Sequence, residues 1–175
     1  MKRVSLLLTM LVTFACTAVH AQFTQSQLVD EFTRAKAYTK AYLDAMPEDG
    51  YALKPTPELR TFAQQMLHLA DGGYFLTGIA TGKENPMGKG YSAEKTVPQT
   101  KEATTKAVMD SYDYVIATLR AMTPAQLQES VKFANKDLTR FELFGKAFEH
   151  QTHHRGQTTI YIRLKGLTPP NEQLF

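Results

Sequence analysis

Cysteine is nearly absent from this chain: the single one is Cys16, close to the N-terminus. The run around it reads as an export signal. Lys2 and Arg3 form a short positive start, Val4 to Val19 is mostly apolar and uncharged, and Val19-His20-Ala21 places small or modest residues at the −3 and −1 positions of a cleavage site. The run is shorter than the roughly 20 apolar residues of a membrane span. The sequence therefore predicts a signal peptide over residues 1–21, cleavage after Ala21, and a mature domain of residues 22–175 exported to the periplasm. Thr13 and Phe14, ahead of Ala15-Cys16, fit a lipid-attachment box poorly. The mature chain then lacks cysteine altogether, which excludes disulfides, thiolate metal ligands and a cysteine nucleophile.

Charge of one sign is also scarce. Losing Lys2 and Arg3 leaves 18 Lys and Arg against 17 Asp and Glu, a net charge of +1. No dense Lys/Arg cluster occurs, so nothing points to a nucleic-acid surface. Strand patterns are scarce too, Ser130 to Phe133 being the one short candidate.

What remains is helical, in four long segments. Thr24-Gln25-Ser26-Gln27 is a capping box, in which the first and fourth side chains cap each other's backbone N–H. It opens a helix through about Met46 that carries Leu28, Phe32, Ala35, Tyr38 and Tyr42 on one face and stops at Pro47 and Gly50. Thr56-Pro57 predicts the start of a second helix, running to about Thr77, with Gly72-Gly73 weakening its last turn. Thr96-Val97-Pro98-Gln99 predicts the start of a third, through about Met122, followed by a short turn at Thr123-Pro124-Ala125-Gln126. Thr139-Arg140-Phe141-Glu142 is a further capping box, opening a fourth helix to about Lys165, with Gly166 as its cap and Pro169-Pro170 beyond. The expectation is an all-α four-helix bundle. The long link from Gly78 to Thr96 is able to cross the length of a helix, giving an up-down-down-up order, or to form a lid over a site.

Chemistry concentrates in Glu149-His150-Gln151-Thr152-His153-His154-Arg155-Gly156-Gln157. Residues i and i+4 of a helix lie on one face, and neutral imidazole is the commonest metal ligand, so His150 and His154 form a candidate metal pair; incidental histidines on a partly exposed face are the alternative. The pattern differs from that of helical zinc proteases, where a glutamate directly follows the first histidine as general base; Gln151 stands there. Beyond this pair the mature chain offers only His68 and His153. His153 faces another direction from its neighbour. On the second helix Leu59, Phe62, Ala63, Met66, Leu67 and Ala70 form the apolar arc, and His68 falls opposite it beside Gln64 and Asp71. Periodicity alone therefore predicts an exposed His68. Arg155 suits either a substrate carboxylate or solvent. Gly156 suggests room for a neighbouring helix or ligand, and Tyr74 and Tyr161 suit either a pocket or the core.

The stretch from Phe148 to Pro170, with His-x-x-x-His-Arg-Gly-Gln followed by Tyr161-Ile162-Arg163-Leu164-Lys165-Gly166-Leu167, resembles the last helix of the DinB family. Leu67-His68-Leu69-Ala70-Asp71 resembles that family's second helix, and Ala45-Met46-Pro47-Glu48 the end of its first. The resemblance covers essentially the whole mature chain. It implies an up-down-down-up bundle in which three histidines, here His68, His150 and His154, bind one divalent metal, turning the polar stripe of His68 inward. Three imidazoles with an open fourth position describe a catalytic site, and zinc or nickel suits them. The implied function is a metal-dependent enzyme, a hydrolase or a thiol transferase, acting on a small molecule. Export counts against thiol transfer, and Asp71 and Glu149 are weak candidates for a general base. The alternative is a non-catalytic metal- or ligand-binding bundle; either form is compatible with a homodimer.

Overall fold

The computed structural model describes residues 24–175, so the expected signal segment lies outside the described residues. The first helix, α1 (Gln25–Ala45), opens on the Thr24 capping box, with the Gln27 Oε1 accepting from the Thr24 N–H at 2.7 Å. A 3-10 turn, Glu48–Gly50, follows Pro47.

The second helix, α2, spans Phe62–Thr81, a correction at both ends. Residues after Thr56 make only a turn, and the helix starts at a second capping box, Thr61 with Gln64. The Phe62 and Ala63 N–H groups, orphans of a first helical turn, donate to the carbonyls of Leu53 and Tyr51. Gly72-Gly73 does not fray the helix. It continues to Gly82, whose φ of +68° ends it in a left-handed cap.

The crossover contains a short helix, α3 (Ala93–Thr96). Thr96 therefore ends a helix rather than starting one. The third long helix, α4 (Lys101–Ala121), is capped instead by Thr100, whose side chain accepts from the Ala103 N–H at 3.2 Å. After α5 (Pro124–Leu127) comes a hairpin. In it β1 (Ser130–Phe133) pairs antiparallel with β2 (Lys136–Thr139), Val131 opposite Leu138. Ala134 and Asn135 both take positive φ, the conformation of a tight two-residue hairpin turn. The last helix, α6 (Arg140–Leu164), begins at the Thr139 capping box. It ends with Leu167 N–H donating to the Ile162 carbonyl and Gly166 N–H to that of Arg163, the paired bonds of a Schellman cap.

Side-chain contacts set the directions of the four long helices. Along α2 and α4, Thr61 meets Gln99, Ser111 donates to the Ala70 carbonyl and the Tyr74 and Tyr114 rings adjoin, so these two run parallel. Between α1 and α6, Phe32 meets Phe148 and Tyr42 meets Thr159, also parallel. Gln25 reaches the Leu119 carbonyl while Lys101 reaches that of Met46, so α1 and α4 are antiparallel. Arg140 reaches the Ala80 carbonyl while Tyr161 reaches that of Arg60, so α2 and α6 are antiparallel as well. This is an up-down-down-up arrangement, with the 82–100 connection joining the parallel pair. Leu43, Met46, Tyr51, Phe62, Met66, Leu119, Leu143, Phe144 and Ile162 are buried between the helices; each such side chain stabilises the fold by about 1.5–3 kcal/mol relative to exposure. Among the described residues no helix is long and apolar enough to cross a membrane.

Candidate metal centre

The α2–α6 interface carries the polar site. His68 on α2 meets His150 and His154 on α6, with ring centroids 5.2 and 4.5 Å away, and the two α6 rings are 4.5 Å apart. One nitrogen from each ring lies within 4.8 Å of the others. His68 is thus neither exposed nor core: buried Leu67 and Leu69 flank it on α2, and its half-buried ring lies at the edge of the interface.

Two of the rings have their tautomer set by neighbours. A carboxylate only accepts, so the 3.1 Å contact between His68 Nδ1 and Glu94 Oε2 is an N–H donating to Glu94, which leaves Nε2 with its lone pair. Arg60 Nε donates to the other Glu94 oxygen at 2.9 Å. His154 Nδ1 donates to Gln65 Oε1 at 2.8 Å, Gln65 Nε2 to Gln157 Oε1 at 2.6 Å, and Gln157 Nε2 to His153 Nε2 at 2.7 Å. This chain fixes the amide directions and leaves His154 Nε2 with its lone pair. His150 differs. Its Nδ1 is buried with no hydrogen-bond partner, one of six such side-chain atoms among the described residues, at a cost of about 1–3 kcal/mol. Burial pushes the His150 imidazole down to about 4, helped by the charges of His68 and His153 nearby. Burial, then His150 and His68, pushes His154 to about 3. Both rings are therefore neutral at pH 7 and able to ligate.

Gly72 makes the arrangement sterically feasible. A Cβ there would sit 2.2 Å from His150 Nδ1 and Cε1, so the ring occupies space that any other residue at 72 would fill. Gly73 gives the same clearance to Ser111 on α4. The glycine pair that looked like a weak helix end is a two-sided packing device. Gly156, by contrast, has nothing within 4 Å of a built Cβ, and nothing in the structure explains it.

Other candidate residues go elsewhere. Arg155 is neither solvated nor in the cleft; it is buried beneath α1, 4.4 Å from the Tyr38 ring centroid. Glu149 is exposed and pairs with Lys146. Asp71 accepts from the Ser92 hydroxyl and from the N–H groups of Ala93 and Glu94, holding α3 against α2. Tyr161 is core, and Tyr74 faces Tyr91 and Tyr114. Gln65, Gln157 and Glu94 were missed from sequence. The two glutamines stand three residues from a site histidine, His68 and His154, a spacing that puts them on its face. Glu94 arrives from the crossover with no sequence signal.

A cleft of about 1090 Å³ opens beside the histidines, lined on one side by α2 and on the other by residues 82–95 of the crossover. The crossover thus both spans the bundle and walls the site. His68 and His150 face this cleft, so the cluster is open on one side.

Fold and site together define a class: a four-helix bundle with an open three-histidine cluster between its second and last long helices. The model of the DinB superfamily matches residues 31–158, and the chain belongs to that superfamily. YrdA of Bacillus subtilis, an uncharacterized protein, is 35% identical over 68 residues, 36% of this chain and 41% of YrdA, so that match spans less than half of the relative. YjoA of the same bacterium, also uncharacterized, is 22% identical over 148 residues, 82% of this chain and 92% of YjoA. Crystal structures show the same fold: a DinB-like protein from Bacillus cereus (TM-score 0.73, 20% identity, 86% of this chain and 98% of that one) and YjoA itself, a DinB-like protein (TM-score 0.66, 21%, 85% and 96%).

Proposed function

We propose that the protein is a divalent-metal-dependent enzyme, a hydrolase or a thiol transferase, with zinc or nickel held by His68, His150 and His154. The observation that carries this reading is the convergence of one nitrogen from each of three imidazoles within 4.8 Å, two of the rings being oriented by partners. Three imidazoles without a carboxylate suit such an ion, and opening onto a cleft suits an exchangeable position. When bound, the ion supplies Lewis acidity toward a water or a thiol. The chain's own residues do the rest. Glu94 and Gln65 orient two ligands, as hydrogen-bonded outer groups do in metal sites generally. Gly72 leaves room for the third. If residues 1–21 export the chain, as their sequence suggests, the surroundings favour hydrolysis over a thiol cofactor.

One observation favours a non-catalytic binding bundle instead. Both nearby carboxylates are occupied, Asp71 by α3 and Glu94 by Arg60 and His68. An assay separates the two. Protein loaded with zinc or nickel is screened for ester, amide and phosphoester hydrolysis and for thiol transfer to electrophiles. Metal-dependent turnover, absent from His150→Ala, supports the enzyme; tight metal binding with no turnover in either set supports the binding bundle.

A further inference from the structure

The cleft beside the histidines has a division of character that its volume alone does not convey. At the histidine end every charged group already has a partner: Arg60 and His68 meet Glu94, and Asp71 is bonded to Ser92, Ala93 and Glu94. A sugar or phosphate entering there finds no free charge or donor set built to receive it. Away from the histidines the walls are aromatic. Tyr74 and Tyr91 stand nearly perpendicular, at 88° and 6.3 Å, and Phe75 meets Phe133 of the hairpin at 6.3 Å. Phe75 is 59% exposed although Tyr74 and Leu76 beside it on α2 are buried. An apolar ring left open within a large concave site, next to convergent polar groups, is the usual composition of a small-molecule pocket. At the same cleft, Lys83, Glu84 and Lys95 make no ion pair among the described residues, and the two cations against one carboxylate accommodate one negative charge on a ligand.

We propose that this cleft binds a small molecule with an aromatic or other apolar body, its polar end directed to His68 and His150. That the polar end reacts there rests on the metal-site reading; binding of the apolar body does not. Phe75, Tyr91 and Phe133 contact the body, and the crossover between α2 and α4 contributes to selection because Tyr91 lies on it.

The probe is 8-anilino-1-naphthalenesulfonate, an aromatic body with one negative charge, titrated into the full protein with and without zinc. Saturable binding at one site per chain is expected. Phe75→Glu should weaken it by at least about tenfold with an unchanged melting temperature. Tyr91→Ser, on the opposite wall, should weaken it independently, which keeps the test valid if the first variant folds poorly. A large excess of inorganic sulfate should leave the dye in place. Non-saturable binding, equal affinity in both variants, or displacement by sulfate overturns the proposal. Saturable dye binding is expected of the metal-free parent as well. Metal uptake that fails while dye binding passes therefore removes only the metal reading, and the converse removes only the apolar cleft.

Discussion

Helix α6 presents two adjacent polar stripes, and they behave in opposite ways. Gln151 and Arg155 face α4 and α1; His150 and His154 face α2. On the first stripe the groups satisfy one another. Arg155 donates to Gln151 Oε1 at 2.7 Å, Tyr112 donates to the same oxygen at 2.7 Å and also meets Thr39 at 2.7 Å, and the guanidinium lies over Tyr38. No buried atom of these side chains lacks a partner. On the second stripe His150 has a buried nitrogen with none. Both stripes are polar, both lie at an interface, and each holds its pair at i and i+4. The stripes differ in hydrogen bonding and in access: the first network is closed on itself, whereas one histidine nitrogen of the second is unpaired and that stripe borders the cleft.

The comparison breaks most visibly at Arg155. Arg155→Ala should cost about 3 kcal/mol of stability in urea unfolding, from lost packing and unpaired polar neighbours, while metal stoichiometry stays that of the parent. Retained stability, or lost metal, would mean that the two stripes are not separate. Gly72→Ala acts on the other side. Its Cβ overlaps the His150 ring, so about 1–3 kcal/mol of overpacking should accompany weaker metal affinity by calorimetry. Equal metal affinity in this variant would show that the ring has another place to go.

Smaller effects sharpen the picture. Glu94→Gln leaves the bundle intact but presents a weaker acceptor to His68, and should weaken metal affinity by about 10-fold, with the melting temperature of the metal-free protein nearly unchanged. The pH dependence is subtler. His150 and His154 titrate near 4 and 3 in the folded protein against an ordinary 6.5. Between those values the unfolded chain binds more protons than the folded one, so the metal-free protein loses stability as the pH falls from about 6.5 toward 4. Above 6.5 the two rings contribute no slope. Melting temperatures of metal-free protein across this range, beside those of a His150→Ala, His154→Ala double variant, should show a shallower acid slope in the variant.

Much of this was legible in the sequence. The capping boxes at Thr24 and Thr139 and the Gly166 stop define helix ends through local hydrogen bonds, and the structure has all three. The Thr61 box uses the same signal, but Thr56-Pro57 five residues earlier carries a competing one, and tertiary backbone bonds from Phe62 and Ala63 decide between them. The β2 strand was not legible, because Lys136-Asp137-Leu138-Thr139 lacks an alternating pattern and pairs only through the turn at Ala134 and Asn135. Within the site, the His150–His154 pair follows from helical geometry alone. His68 does not: α2 buries Leu67 and Leu69 on either side of it because α2 packs against both α4 and α6. A single apolar arc is then a poor guide to which face is inside, and only the family resemblance placed His68 with the pair. Gly72 shows the same limit, since a glycine's value there depends on a ring from a helix 78 residues away.

The central claim is that the α2-facing stripe is a metal site. Its most direct test is elemental analysis of untagged protein, from which residues 1–21 have been removed, beside His150→Ala. The account predicts about one zinc or nickel per chain in the parent and none in the variant. Parent protein that carries no metal as purified and takes none up on titration would contradict it, and would leave His68, His150 and His154 as a cluster of imidazoles at the edge of the α2–α6 interface.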